Sequence, residues 1–210
     1  MINIVLVGAG GHAKVVQDLV EQENEHRIVG CLDSDQKKWG STLCGMPILG
    51  GDSDCKAIIK EHEVEGFIVT VGNVQIRKKL FKSMFELGLK PVTVVHPQAY
   101  VASTATIGAG TVVLAQSVVQ VESVVGENCI INHAASIDHE CAVGDHSHIA
   151  PGVNIAGAVN IGESVFIGIG SSVIQCVSIG AFSNIGAGSV VVGNIPGNCL
   201  AYGCPALIKI

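Results

Sequence analysis

Residues 101–196 read VASTATIGAGTVVLAQSVVQVESVVGENCIINHAASIDHECAVGDHSHIAPGVNIAGAVNIGESVFIGIGSSVIQCVSIGAFSNIGAGSVVVGNIP. Every sixth residue from Val101 to Val191 is Ile or Val, sixteen in succession, and four residues after each stands something small or β-branched, from Ala105 and Thr111 to Ser189 and Ile195. The residue after the repeat position is often Gly, as at 108, 126, 144, 162, 168, 180 and 186, which suggests a tight corner using glycine's freedom of φ. A period of six suits neither a helix nor ordinary hairpins. It suits a solenoid of short strands meeting at regular corners. Three hexads make one triangular coil of eighteen residues, so the stretch forms just over five coils. The β-branched residues then point inward and stack at about 4.8 Å, the spacing of adjacent strands. A β-sandwich would instead show a period of two and turn clusters every 8 to 12 residues, roughly.

This repeat resembles the hexapeptide-repeat acyltransferases. The resemblance implies a left-handed parallel β-helix, a homotrimer, and acetyl-CoA held in grooves between neighbouring subunits. Periodicity alone implies only the coil.

Working outward, the chain changes character near residue 96. After Lys90 there is no Lys or Arg until Lys209. The expected organisation is an α/β Rossmann-like domain over 1–96 and an all-β parallel helix over 97–210. A net charge of -6, with the cations confined almost wholly to the first part, argues against a nucleic-acid partner. No apolar run reaches the length that spans a bilayer and no secretory leader precedes the first strand, so no membrane partner and a soluble, cytoplasmic protein are expected. Eight cysteines show no CxxC pair. Cys129 and Cys141 occupy the small slot of their hexads, so reduced, structural thiols and no metal site are expected.

The first domain opens with INIVLV at residues 2–7, a buried parallel strand, running into Gly8-Ala9-Gly10-Gly11-His12-Ala13-Lys14 and a helix to about Glu23. Backbone N–H groups of such a turn can face a phosphate. A strand over 27–32 ends at Asp33, where a dinucleotide fold places a ribose-binding carboxylate. A loop containing Pro47, a helix over 52–62, a strand over 66–71, a helix over 74–87 and a strand over 91–95 follow. GxGxxA with Asp33 is compatible with NAD, and the glycines also admit a purely structural turn. The domain is about half the size of a full dinucleotide site, so a mononucleotide-sized pocket fits better.

The succession GAGGHAKVVQDLV, CLDSD and TVGNVQIRKKLFKSMFELGLKPVTVVHP, ahead of the hexads, resembles bacterial sugar acetyltransferases of the PglD and NeuD type across essentially the whole chain. For PglD-type members the resemblance implies that this domain holds the uridine diphosphate end of a UDP-4-amino-4,6-dideoxy sugar. Matched by motif, its contacts are Gly10, Gly11 and His12, then Asp33 and Ser34, then Val71, Gly72 and Asn73. Arg77 and Lys78 stand nearby as cationic helpers or as a solvated helix face.

Four of the eight histidines fall within 133–148. Acetyl transfer to an amine needs a base for its proton and donors for the developing oxyanion. Ile137-Asp138-His139-Glu140-Cys141 supplies an imidazole beside a carboxylate that can orient it. His133 is a rival by spacing, and the resemblance favours His139 as base with Glu140 as support. Gly157 lies eighteen residues on, hence one coil along, where its N–H faces the reacting carbonyl. The resemblance further implies acetyl-CoA contacts at His148 of a neighbouring subunit, at Ile169 and at Ala187, where some relatives carry Gly. It also places the tail from Ile195 to Ala206 near the adenine end, with Lys209 the one cation of the second domain able to meet a CoA phosphate. The expected activity is acetyl-CoA-dependent N-acetylation of a UDP-linked amino sugar in bacterial glycan biosynthesis. The alternatives are O-acetylation of a sialic acid-like sugar as in NeuD-type relatives, a γ-carbonic-anhydrase-like zinc enzyme using the clustered histidines, and a catalytically silent scaffold.

Overall fold

The computed structural model describes residues 1–51 and 53–209 and divides the chain into two units, Met1–Val94 and Val95–Ile210. In the first, β1 (Ile2–Val7), α1 (Gly11–Glu23), β2 (His26–Leu32), a 3-10 turn at Gln36–Lys38, β3 (Thr42–Leu43), β4 (Met46–Gly50), α2 (Cys55–Glu61), β5 (Gly66–Val69), α3 (Val74–Glu86) and β6 (Lys90–Pro91) follow in order. The sheet runs β3-β4-β2-β1-β5-β6, with β1 parallel to both β2 and β5. Ile4, Val5 and Leu6 are fully buried, as an unbroken apolar run requires of a central strand. The chain leaves β1 for β2 on one side and returns to β5 on the other. That reversal opens a crevice at the carboxyl ends of the strands, where α/β sheets take ligands.

Three local expectations change. The Pro47 segment is not a loop but β4, an added strand beside β2. Pro47 sits exposed at its second position, and the next amide, Ile48 N–H, donates to Ser41 O at 2.9 Å, so the missing proline donor is not needed. The helix expected over 52–62 starts at Cys55, and Asp52 lies outside the described residues. The strand expected over 91–95 divides: β6 ends the first sheet, while β7 (Val94–Val95) opens the second unit's first sheet.

From Tyr100 onward each hexad contributes one two-residue strand, and strands pair in parallel with those eighteen residues away, from Tyr100↔Val118 to Ser172↔Val190. Three sheets result. Side one begins with β7 and runs through residues 112, 130, 148, 166 and 184; side two carries 100, 118, 136, 154, 172 and 190; side three carries 106, 124, 142, 160 and 178. This is the left-handed parallel β-helix architecture that follows the α/β unit. Towards the C-terminus the register shortens, with Ile179↔Ile195 and Asn184↔Leu200, and the antiparallel pair Leu200–Tyr202 and Leu207–Lys209 closes side one.

The Ile/Val column is the core: Val113, Val119, Ile131, Ile137, Ile149, Ile167, Ile185 and Val191 are all at 0% exposure. The small column does more than fill space. Ser147 Oγ donates to Gly162 O at 3.0 Å and accepts Val165 N–H at 3.1 Å, and Thr111, Ser123 and Ser171 repeat the pattern. Each hydroxyl therefore satisfies corner backbone groups that have no strand partner. Burial pushes the Cys141 thiol up in pKa, and its Sγ donates to Ala156 O at 3.2 Å, which suits an inert structural thiol.

The glycines after the repeat position have a different role from the expected one. Positive φ falls two residues later, mostly on side-chain-bearing residues such as Glu140 (58°), His146 (61°) and Phe182 (61°). The glycines instead allow successive coils to touch. A Cβ on Gly108 would lie 2.4 Å from Gly126 C, and one on Gly162 would lie 2.5 Å from Ala181 N.

Candidate active site

In the first unit the Gly-rich turn borders the crevice with Gly8. Gly8 N–H donates to Leu32 O and Ala9 N–H to Asp33 Oδ2 (2.8 Å), while Gly10 and Gly11, open on their Cα side, lead into the thirteen-residue α1. A helix amino terminus that can be approached this closely on its backbone suits an anion. Beside it lies a cavity of about 410 Å³, whose walls include Val7, Leu32, Val71 and Leu80 and whose polar groups come from Asp33, Ser34, Lys79 and Ser83. The crevice thus gathers the ends of β1, β2 and β5.

Asp33 is not an open carboxylate. Oδ2 accepts Ala9 N–H and the Lys38 ammonium (2.9 Å), and Oδ1 accepts Asp35 N–H (2.9 Å). Burial opposes its ionisation, but the hydrogen bonds from Asp35, Lys38 and Ala9 outweigh it and hold the carboxyl below its ordinary pKa. The same surroundings push Cys31, buried behind it, up to about 12, through burial and then the Asp33 charge. Asn73 caps α3, accepting Ile76 N–H at 3.0 Å. Arg77 is no solvated cation. It is fully buried, and Nη1 donates to Val71 O (3.3 Å) and Gly72 O (3.1 Å), so it shapes the third segment of the crevice from behind.

In the second unit His139 stands at the corner between sides two and three. Its Nδ1 meets Glu140 Oε2 at 2.9 Å, and its backbone N–H donates to Asp138 Oδ1 at 2.8 Å. Half of the His139 side chain is exposed, 50%, so the ring is open to solvent on one side. One coil along, a Cβ on Gly157 would fall 2.5 Å from both Cε1 and Nε2 of the ring, so the imidazole lies across that glycine. Ala158 N–H is taken by His139 O, whereas among the described residues Gly157 N–H has no backbone partner. The expected trio of His139, Glu140 and Gly157 is therefore one cluster.

The other histidines separate. His133 turns to Asn132 Oδ1 (3.0 Å) at the corner between sides one and two, in the same column as Ile169 and Ala187. His146 meets Asn128 Nδ2 at 2.9 Å at the third corner. His148 lies on side one, 3.2 Å from Asn132 Nδ2 and edge-on to Phe166. Among the described residues, the donor atoms that approach metal-ligand spacing belong to Glu23, Glu25 and His26, within 4.8 Å, and include none of these four histidines. Side two separates the His139 corner from the Ile169/Ala187 corner and carries a groove of about 430 Å³, lined by Gln120, Ser136, Asp138, Asn154 and Ser172 among others. A further cavity, of about 570 Å³ near Gln17, His26 and Cys44, lies at the opposite end of β2 from the crevice. Lys209 Nζ sits 4.7 Å over the Tyr202 ring in the closing hairpin. No helix of the described residues is long and apolar enough to cross a membrane.

Known proteins show the same two-part construction. The family model for the PglD N-terminal domain matches residues 3–84. A histidine-to-asparagine variant of perosamine N-acetyltransferase from Caulobacter crescentus, solved with CoA and GDP-perosamine, matches at TM-score 0.94 and 34% identity, over 99% of this chain and 97% of that one. The acetyltransferase domain of PglB from Neisseria gonorrhoeae, solved with acetyl coenzyme A, matches at TM-score 0.89 and 34% identity, over 99% and 98%. The UDP-N-acetylbacillosamine N-acetyltransferase of Bacillus subtilis is 36% identical over 122 residues, 54% of this chain, and the matched stretch spans about half of that relative, 51%.

Proposed function

The chain belongs to the hexapeptide-repeat, left-handed β-helix acyltransferases related to the PglD-, perosamine- and PglB-type N-acetyltransferases, and on that footing we propose that it transfers acetyl from acetyl-CoA to the amino group of a nucleotide-linked deoxy sugar. The observation that carries the reading is the His139 ring, held by Glu140 at 2.9 Å and lying across Gly157. With Nδ1 turned to the carboxylate, Nε2 is the basic nitrogen. It takes a proton from the sugar amine as the amine nitrogen attacks the thioester carbonyl. Gly157 N–H donates to the carbonyl oxygen as that oxygen gains charge, and the thiolate departs.

The crevice at Gly10, Gly11, His12, Asp33, Ser34, Val71, Gly72 and Asn73 supplies the nucleotide end. The sugar is a UDP-linked 4-amino-4,6-dideoxy hexose. Acetyl-CoA runs by His148, Ile169 and Ala187. In line with the family resemblance, His148 serves the base of a neighbouring subunit in a homotrimer, a reading supported by its place on side one, away from the His139 corner of its own chain.

An acetyl-CoA consumption assay against UDP- and GDP-linked 4-amino sugars and free sialic acid tests the reading. Turnover confined to a nucleotide-linked amino sugar is expected. Turnover of sialic acid alone overturns it.

A further inference from the structure

Lys38 was not singled out by the sequence, yet its ammonium reaches the second residue of the Gly-rich turn. Its ammonium lies 2.9 Å from Asp33 Oδ2 and 3.4 Å from Ala9 O, with 38% of the side chain exposed. Ala9 is the second residue of the turn, so the charge stands at the mouth of the anion-binding amides. An ammonium has three donors and no acceptor. Two are directed at Asp33 and Ala9, which leaves the third for solvent or a ligand.

The chain also aims this group. Asp35 Oδ1 accepts Lys37 N–H (3.1 Å) and starts the 3-10 turn at Gln36–Lys38, while Trp39 Nε1 donates to Asp33 O (2.8 Å) and packs over Gly51, where a Cβ would lie 2.7 Å from Cζ2. Lys38 is thus the last residue of a turn anchored by the Asp33 and Asp35 carboxylates before it and the Trp39 indole after it.

Resting on the nucleotide-sugar reading, we propose that Lys38 binds the diphosphate of the nucleotide sugar, keeping its bond to Asp33 and giving its third N–H to a phosphate oxygen. Asp33 then acts through Lys38 and Ala9 as a positioning residue rather than as the ribose ligand of a dinucleotide fold. The carboxylate keeps the ammonium pointed at the turn, where Gly10 and Gly11 lie open on their Cα side. Arg77, the cation the sequence brings forward first, is buried against carbonyls and does not take this part.

The test is titration calorimetry of the full chain with UDP, GDP and the two parent nucleosides, for the unmodified protein, Lys38→Gln and Lys38→Arg. A charge-assisted hydrogen bond of this kind corresponds to a loss of about tenfold or more. The expected result is that loss for the preferred nucleoside diphosphate in Lys38→Gln, partial recovery in Lys38→Arg, unchanged nucleoside affinity, and an unchanged KM for acetyl-CoA. Diphosphate affinity retained within about twofold in Lys38→Gln overturns the assignment. So does an equal fall for nucleoside and diphosphate, the mark of a residue that only braces the turn. If the unmodified chain binds neither diphosphate, the nucleotide-sugar reading itself falls, and Lys38 with it.

Discussion

The two units build their sites by opposite means. In the coil, position along the chain is position in space: residues eighteen apart are neighbours, so His139 and Gly157 meet because the register of the stacked strands brings them together. In the α/β unit the meeting residues are far apart without any period. Ala9, Asp33 and Lys38 converge because β1 and β2 pair in parallel and a 3-10 turn folds back on the strand end. A repeat carries a site as a column, whereas an α/β sheet carries it as a set of strand ends.

The comparison breaks most readily at the imidazole. His139→Ala should lower kcat by about 10²- to 10⁴-fold while leaving the thermal transition in place, since the side chain is half exposed; steady-state kinetics with matched circular dichroism would check both. Gly157→Ala should come next. Its φ is ordinary, so the backbone tolerates alanine, but the new methyl occupies the space of the ring. Displacement of the base by about 1 Å corresponds to roughly 10²-fold in kcat, with little change in the nucleotide's affinity. A variant as active as the parent would show that the column does not set the site.

Smaller effects sharpen the contrast between the units. Ser147→Ala removes the hydroxyl that serves Gly162 O and Val165 N–H, and should cost about 1–3 kcal/mol in urea unfolding by leaving buried backbone groups unsatisfied. The first unit should show its dependence on a charge instead. Asp33 has a lowered pKa in the folded state, so the stability it contributes is present above the unfolded value of about 4 and is lost as pH falls through the lower folded value. The difference in melting temperature between the parent and Asp33→Asn should therefore be constant near neutrality and shrink below pH of about 4. A difference that persists undiminished at pH about 3 would mean that Asp33 acts by packing rather than by charge.

Much of this was legible beforehand. Sixteen aliphatic residues at a constant spacing leave one coil geometry, and the strand pairing follows it until the register shortens beyond Ile179. The place of Gly157 beside His139 follows from the same arithmetic, whereas His133 was a rival by spacing and the family resemblance favoured His139 with Glu140. Other features were hidden, because they depend on backbone geometry rather than on residue type. The left-handed corner residue is Glu, His or Phe as readily as Gly, while the glycines serve close contact between coils. The hydrogen-bonding role of the small column is likewise invisible in a list of Ser, Thr and Cys.

The amino-acid order by itself determined the coil, its core and the coil-borne cluster, because a periodic chain closes on itself through local contacts repeated at one interval. Only the tertiary structure decided that Arg77 turns inward, that Pro47 belongs to a strand, and that the Lys38 ammonium reaches Asp33 and Ala9 O. Those outcomes rest on pairings between distant segments, where burial and the need to satisfy each carbonyl and carboxylate select one arrangement among many that the residues alone permit.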